Sequence, residues 1–151
     1  MYQTGCSAYR QSAANTVEDK RIILLKLYEG ALVFNSIAKR GIQENIPRIR
    51  GENISKVMAI INELECALDH ERGGDISARL SSLYQYIMDR LLYASRYSDI
   101  DALEQVEQIL SILKDGFKAA MKGQKDAVVS PQMIPPEVSS SQPQKEVQYA
   151  V

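Results

Sequence analysis

The chain has 151 residues, a quarter of them charged, and a formal net charge of -1. That length fits one domain with its own core, and the near-neutral balance gives no field to draw nucleic acid or an acidic membrane surface. No basic run, zinc-like Cys/His cluster or phosphate-cradling glycine loop occurs, and no apolar run approaches the ~20 residues of a membrane span. The start, MYQTGCSAYRQSAAN, has no apolar signal-peptide core. Cys6 and Cys66 are far apart in sequence and imply no disulfide framework. Two free thiols in a soluble, reducing compartment are therefore expected.

Residues 1–18 read as an arm, small and polar but carrying Tyr2, Cys6 and Tyr9. Asp19 suits an N-cap, because its carboxylate can accept the free amides of a first helical turn. Helix one is predicted over about 20–40, with Gly41 as its stop. Its stripe is Leu24, Leu27, Ala31, Phe34 and Ala38, and Ile22, Ile23, Leu25, Tyr28 and Leu32 add a second apolar row. That is wider than one buried face needs.

Helix two starts near 44–47, where a proline is tolerated in the first turn, and runs to about Asp69. Ile54, Val57, Ile61, Leu64 and Leu68 follow heptad spacing, with Met58, Ile60 and Ala67 outside that seam. Gly73 and Gly74 supply freedom to end one helix and begin the next. Helix three is predicted over 75–97, with Ile76, Leu80, Leu83, Ile87 and Leu91 as its seam. It also carries Tyr84, Tyr86, Tyr93 and Tyr97; about two of these are expected to line the core with their hydroxyls reaching water. Helix four begins at the N-cap Asp99, ends near Met121 and buries Leu103, Val106, Leu110, Leu113 and Phe117, with Ile109 and Ile112 beside them.

Residues 123–151 hold four of the five prolines, among serines and glutamines. Such a composition cannot pack a core and is expected to be a disordered tail. The predicted fold is all-α: an antiparallel four-helix bundle over 19–122, with a short N-terminal arm and a disordered Pro-rich tail. The surplus apolar rows mark a partner surface. Its candidate residues are Leu32, Ile60, Tyr86, Tyr93, Ile109 and Ile112.

Candidates for chemistry are few. The single histidine, His70, sits at a hairpin tip between Asp69 and Glu71, whose carboxylates would repel a phosphoryl group. One histidine cannot supply the two Glu-x-x-His elements of a di-metal bundle. No nucleophile has a base at interpretable spacing. A non-enzyme without metal or cofactor is expected.

Several motifs are specific enough to name a family. LDHERGGDIS followed by RLSSLYQYIMDRL, from Leu68 onward, resembles the hairpin of the flagellin export chaperones, the FliS family. Leu27-Tyr28-Glu29-Gly30-Ala31 looks like the family's helix-one signature, and Ala8-Tyr9 looks like its N-terminal Ala-Tyr. The resemblance spans about 8–122. It departs at Asp19-Lys20, where the family often has Ser-Pro or Asp-Pro, and at Phe117, where it often has Trp.

The resemblance implies a cytoplasmic chaperone that binds the unfolded C-terminal segment of flagellin. It would prevent premature polymerisation and assist delivery to the flagellar type III export gate. It also implies an N-terminal arm, marked by Tyr9, that covers the client surface as a lid, and allows a co-chaperone or anti-sigma factor as a further partner. The residue reading fits, since helix-in-groove recognition uses rows of this kind. The competing expectation is a regulatory adaptor of the same fold that binds a folded protein.

Overall fold

The computed structural model describes residues 17–123. The N-terminal arm and the Pro-rich tail, with Tyr9 and the expectations placed on them, lie outside the described residues. Four helices follow one another: α1 (Val17–Gln43), α2 (Pro47–Cys66), α3 (His70–Tyr97) and α4 (Ile100–Lys122). No strand occurs among the described residues. The chain divides into two compact units after Lys114, within α4. The bundle described here is the first unit; Phe117, expected to close the α4 seam, falls in the second and is half-buried.

Helix α1 begins two residues before the expected cap, so Asp19 lies in its first turn with Glu18. There their charges complement the amide end of the helix dipole. At its other end Gly41 does not stop the helix. It is buried, and a β-carbon there would come 2.7 Å from the backbone nitrogen of Arg50. Gly41 is therefore a point of close approach between α1 and α2, where a larger residue would meet backbone. The reversal falls to Asn45, at φ 57, a left-handed conformation that asparagine tolerates better than most residues. The Ile46 N–H closes the turn onto the Gly41 carbonyl at 2.8 Å, and Pro47 opens α2 as expected.

Along the antiparallel α1–α2 pair, Lys56 reaches over the Phe34 ring at 5.1 Å. Ile60 packs beside Gly30, 3.5 Å from where a β-carbon would stand. Helix α2 ends at Cys66, earlier than Asp69, with the Ala67 N–H shared between the carbonyls of Glu63 and Leu64. Cys66 is disulfide-bonded, which corrects the expectation of free thiols. Its partner lies outside the described residues.

Gly74 separates a single helical turn, residues 70–73, from the long helical stretch that follows, so the glycines do divide two helical segments as expected. Helix α3 starts at His70, where the Asp69 carboxylate accepts the N–H groups of Glu71 and Arg72, each at 3.1 Å. It then kinks at Gly74, at φ 50 and ψ -122, a backbone conformation suited to glycine. Ile76, expected in the seam, is 47% exposed, and the buried row is Ser77, Tyr84, Ile87, Leu91 and Ala94. Ser98, left-handed at φ 54, ends α3, and Asp99 caps α4 by accepting the Asp101 N–H at 2.9 Å.

The core holds Ile54, Val57, Ile61 and Leu64 from α2 and Leu103, Val106, Leu110 and Leu113 from α4. Each full burial of such a side chain contributes roughly 1.5–3 kcal/mol before chain entropy is counted. Helix α1 contributes Tyr28 and four smaller residues, Ala31, Asn35, Ala38 and Gly41. Leu24, Leu27 and Phe34, assigned to that face by their spacing, are only half-buried.

Two polar contacts cross the interior. Asn35 donates from Nδ2 to the Leu103 carbonyl at 2.9 Å, and its Oδ1 has no protein partner. The hydroxyls of Tyr28 and Tyr84 meet at 2.5 Å. Burial pushes both phenols above their ordinary range, because an ionised ring would have to shed its water.

Candidate functional site

Helix α3 places Tyr86, Arg90, Tyr93 and Tyr97 at positions i, i+4, i+7 and i+11. That spacing puts all four on one side of a helix. It is a flank roughly 110° around the helix from the buried row, so α3 turns Tyr84, Ile87, Leu91 and Ala94 inward and the tyrosine stripe toward solvent. Tyr86, Tyr93 and Tyr97 are 43%, 42% and 61% exposed. Large rings left this open are unusual on one helix face and are informative as a group.

The stripe is ordered by its own neighbours. The Tyr93 and Tyr97 ring centroids stand 4.7 Å apart, tilted by 48°, within the range of a favourable aromatic pair. The Arg90 guanidinium lies 4.6 Å from the Tyr93 centroid, a cation–π distance. The Tyr86 hydroxyl points to Gln105 Oε1 on α4 at 3.4 Å, a long contact. Beside the stripe is an open depression of about 430 Å³ lined by Tyr86, Asp89, Arg90, Tyr93 and Asp99. Its lining combines two aromatic rings with charges of both signs. An apolar side chain can seat there while its polar neighbours stay hydrated.

The other sequence candidates are scattered. Ile112 is 55% exposed on α4, while Ile109 on the same helix is half-buried. Leu32 and Ile60 are half-buried on α1 and α2, Ile60 against Gly30. None of these four lines the depression. Only Tyr86 and Tyr93 among the candidates are brought together there. Arg90, Asp89 and Asp99 were missed because the search followed apolar rows, and a charge on a helix reads as solvated. The available signal was their spacing around the tyrosines.

Elsewhere the polar groups serve the fold. Arg50 donates from Nη1 to Ser98 Oγ at 2.6 Å. Lys39 on α1 pairs with Glu107 on α4 at 3.0 Å, a partly exposed pair of modest worth. The Asp69 carboxyl is held below the usual carboxylate range, chiefly by the Arg72 N–H it accepts. His70 is an exposed residue in the first turn of α3. Among the described residues no group of three or more His, Cys, Asp and Glu could hold a metal ion. No described helix is long and apolar enough to cross a membrane.

Residues 1–124 match the family model described as flagellar protein FliS. The chain belongs to the FliS family. It is 35% identical over 120 residues to the flagellar secretion chaperone FliS of Salmonella typhimurium, covering 76% of this chain and 88% of the relative. The FliS chaperone of Bacillus subtilis is 30% identical over 123 residues, covering 82% and 90%. That of Escherichia coli is 30% identical over 135 residues, covering 86% and 93%. These relatives are named as chaperones, a role that involves no catalysis, and the family's helical bundle agrees with the four helices found here.

Proposed function

We propose that this chain is an export chaperone of the cytoplasm that holds the unfolded C-terminal segment of flagellin. By covering that segment it prevents premature polymerisation and assists delivery to the flagellar type III export apparatus. The observation that carries this reading is the stripe of Tyr86, Tyr93 and Tyr97 exposed on α3 beside an open depression. An unfolded, helix-prone client can lay its apolar face along such a stripe, as amphipathic helices do in grooves. Ordering the client offsets part of the contact energy, which suits a complex that must later release it. Tyrosine also suits the empty chaperone, because its hydroxyl keeps an exposed ring hydrated.

The lid role of the N-terminal arm and Tyr9 belongs to the same reading, as do an export-gate component and a co-chaperone or anti-sigma factor as further partners. Leu32, Ile60, Ile109 and Ile112 are outlying members of the client surface. The test is calorimetric titration of the full chain with a peptide spanning the last ~40 residues of flagellin. Saturable one-to-one binding with a negative heat-capacity change is expected, the signature of apolar burial. No binding, with the arm present or with residues 1–15 deleted, would sink the reading and turn the search to a folded partner.

A further inference from the structure

Tyr93 is held between two neighbours along its own helix. One turn before it lies the Arg90 guanidinium at 4.6 Å, and one turn after it lies the Tyr97 ring at 4.7 Å. We propose that Arg90 is a positioning residue of the docking stripe, fixing the Tyr93 ring in its client-ready orientation before the client arrives. The proposal rests on the docking role given to that stripe.

Three observations carry it. Two carboxylates, Asp89 and Asp99, line the same depression as Arg90. Yet the ion pairs found among the described residues are those of Lys39, Arg48 and Arg72; Arg90 makes none. The guanidinium lies on the ring in preference to pairing with either acid. Asp99 is already engaged in capping α4 through the Asp101 N–H.

The second observation is that Arg90 Nε is buried and has no acceptor. A buried donor without a partner costs stability. Hydrogen bonding at Nε therefore does not explain why the side chain lies where it does, whereas packing on Tyr93 does.

The third is exposure. An exposed tyrosine on a helix ordinarily exchanges between two χ1 wells. Tyr93 is 42% exposed, but a weakly hydrated, planar cation stacks on it, as guanidinium does and ammonium does less well. Fixing the ring in the free protein removes part of the ordering cost that binding would otherwise meet. Arg90 thus acts on affinity through Tyr93, not through a contact of its own with the client.

The experiment uses the full chain, the ~40-residue flagellin peptide of the titration above, and three variants: Arg90→Met, Arg90→Lys and Tyr93→Ala. Arg90→Met keeps the apolar stem and removes the cation. It is expected to weaken peptide binding about fivefold, equivalent to about 1 kcal/mol, to shift and broaden the Tyr93 ring-proton resonances of the free protein, and to leave the melting temperature unchanged. Arg90→Lys should restore part of the affinity and part of the ring signal.

Wild-type affinity in Arg90→Met beside a weakened Tyr93→Ala would overturn the positioning role and leave the docking role standing. Weaker binding with unchanged Tyr93 resonances would also overturn it, since Arg90 would then touch the client directly. Absence of binding by the wild-type chain would remove the docking role and the proposal together.

Discussion

The two sides of α3 both carry large side chains with apolar surface and use it in opposite ways. Inward, Tyr84, Ile87, Leu91 and Ala94 are at most 2% exposed, and the one polar atom among their side chains, the Tyr84 hydroxyl, is bonded to Tyr28. Outward, Tyr86, Tyr93 and Tyr97 are open to water, and their neighbours order them without covering them. The same residue type appears on both faces. Tyr84 is a core residue and Tyr93 a surface one because they lie nine positions apart, two and a half turns of helix, and so point to opposite sides. What separates the buried tyrosine from the exposed ones on this helix is phase, not composition.

Substitutions on the two faces should therefore separate two measurements. Leu91→Ala empties a site that is fully buried. It should cost about 2–5 kcal/mol of unfolding free energy, read by denaturant titration. Peptide affinity should be unchanged at temperatures where the variant is folded. A loss of affinity without a loss of stability would break the comparison.

The tyrosine pair gives the next effect. Tyr28→Phe leaves the Tyr84 hydroxyl buried without that partner, and should cost about 1–3 kcal/mol. Adding Tyr84→Phe removes the orphaned group, so the double variant should cost less than the sum of the two single variants.

The same pair predicts a pH dependence. Both phenols are raised from an ordinary value of 10.0, so the folded state prefers them protonated. The stability they contribute is fully present below about pH 10 and falls as pH rises above it. The double phenylalanine variant should show a shallower alkaline decline in a chemical denaturation series.

On the outer face, Tyr93→Ala should change stability by no more than about 0.5 kcal/mol and weaken the client peptide by about tenfold or more, as anchoring aromatics do. If Tyr93→Ala instead unfolded the bundle while binding persisted in the remaining folded fraction, the outer face would have to be reassigned to the core.

Much of this arrangement is legible in the sequence where a helix runs without interruption. In α2, Ile54, Val57, Ile61 and Leu64 are buried as their heptad spacing predicts, and so are Leu103, Val106, Leu110 and Leu113 in α4. In α3, Ile87 and Leu91 are buried as expected, but Ser77 and Tyr84 take the interior positions nearer its start, where Leu80 and Leu83 are half-buried and Ile76 is exposed; apolar periodicity does not single out a serine. In α1, Ala31 and Ala38 are buried as expected, but Asn35 and Gly41 complete the buried row in place of Leu24, Leu27 and Phe34. Small residues let helix axes approach, and neither an asparagine nor a glycine stands out in apolar periodicity.

The site was half legible for a related reason. Tyr86 and Tyr93 are large enough to be noticed wherever they fall. Leu32, Ile60 and Ile109 are flank residues, neither core nor free surface, and periodicity alone does not separate flank from face. Arg90 was missed because its stacking on a ring is a property of two residues together. The Cys66 disulfide was missed because spacing alone does not show which distant cysteines meet.

The kink at Gly74 has a consequence for how the chain tolerates changes of length. The first turn of α3, His70 to Gly73, is joined to the rest through a residue already outside helical geometry. An extra residue inserted in that turn can be absorbed at the corner, because no buried apolar side chain there has to keep its bearing. One inserted after Ser77 has no such outlet. It would rotate every later position by about 100°, carry Tyr84 and Leu91 out of the interior, and swing the tyrosine stripe off its face.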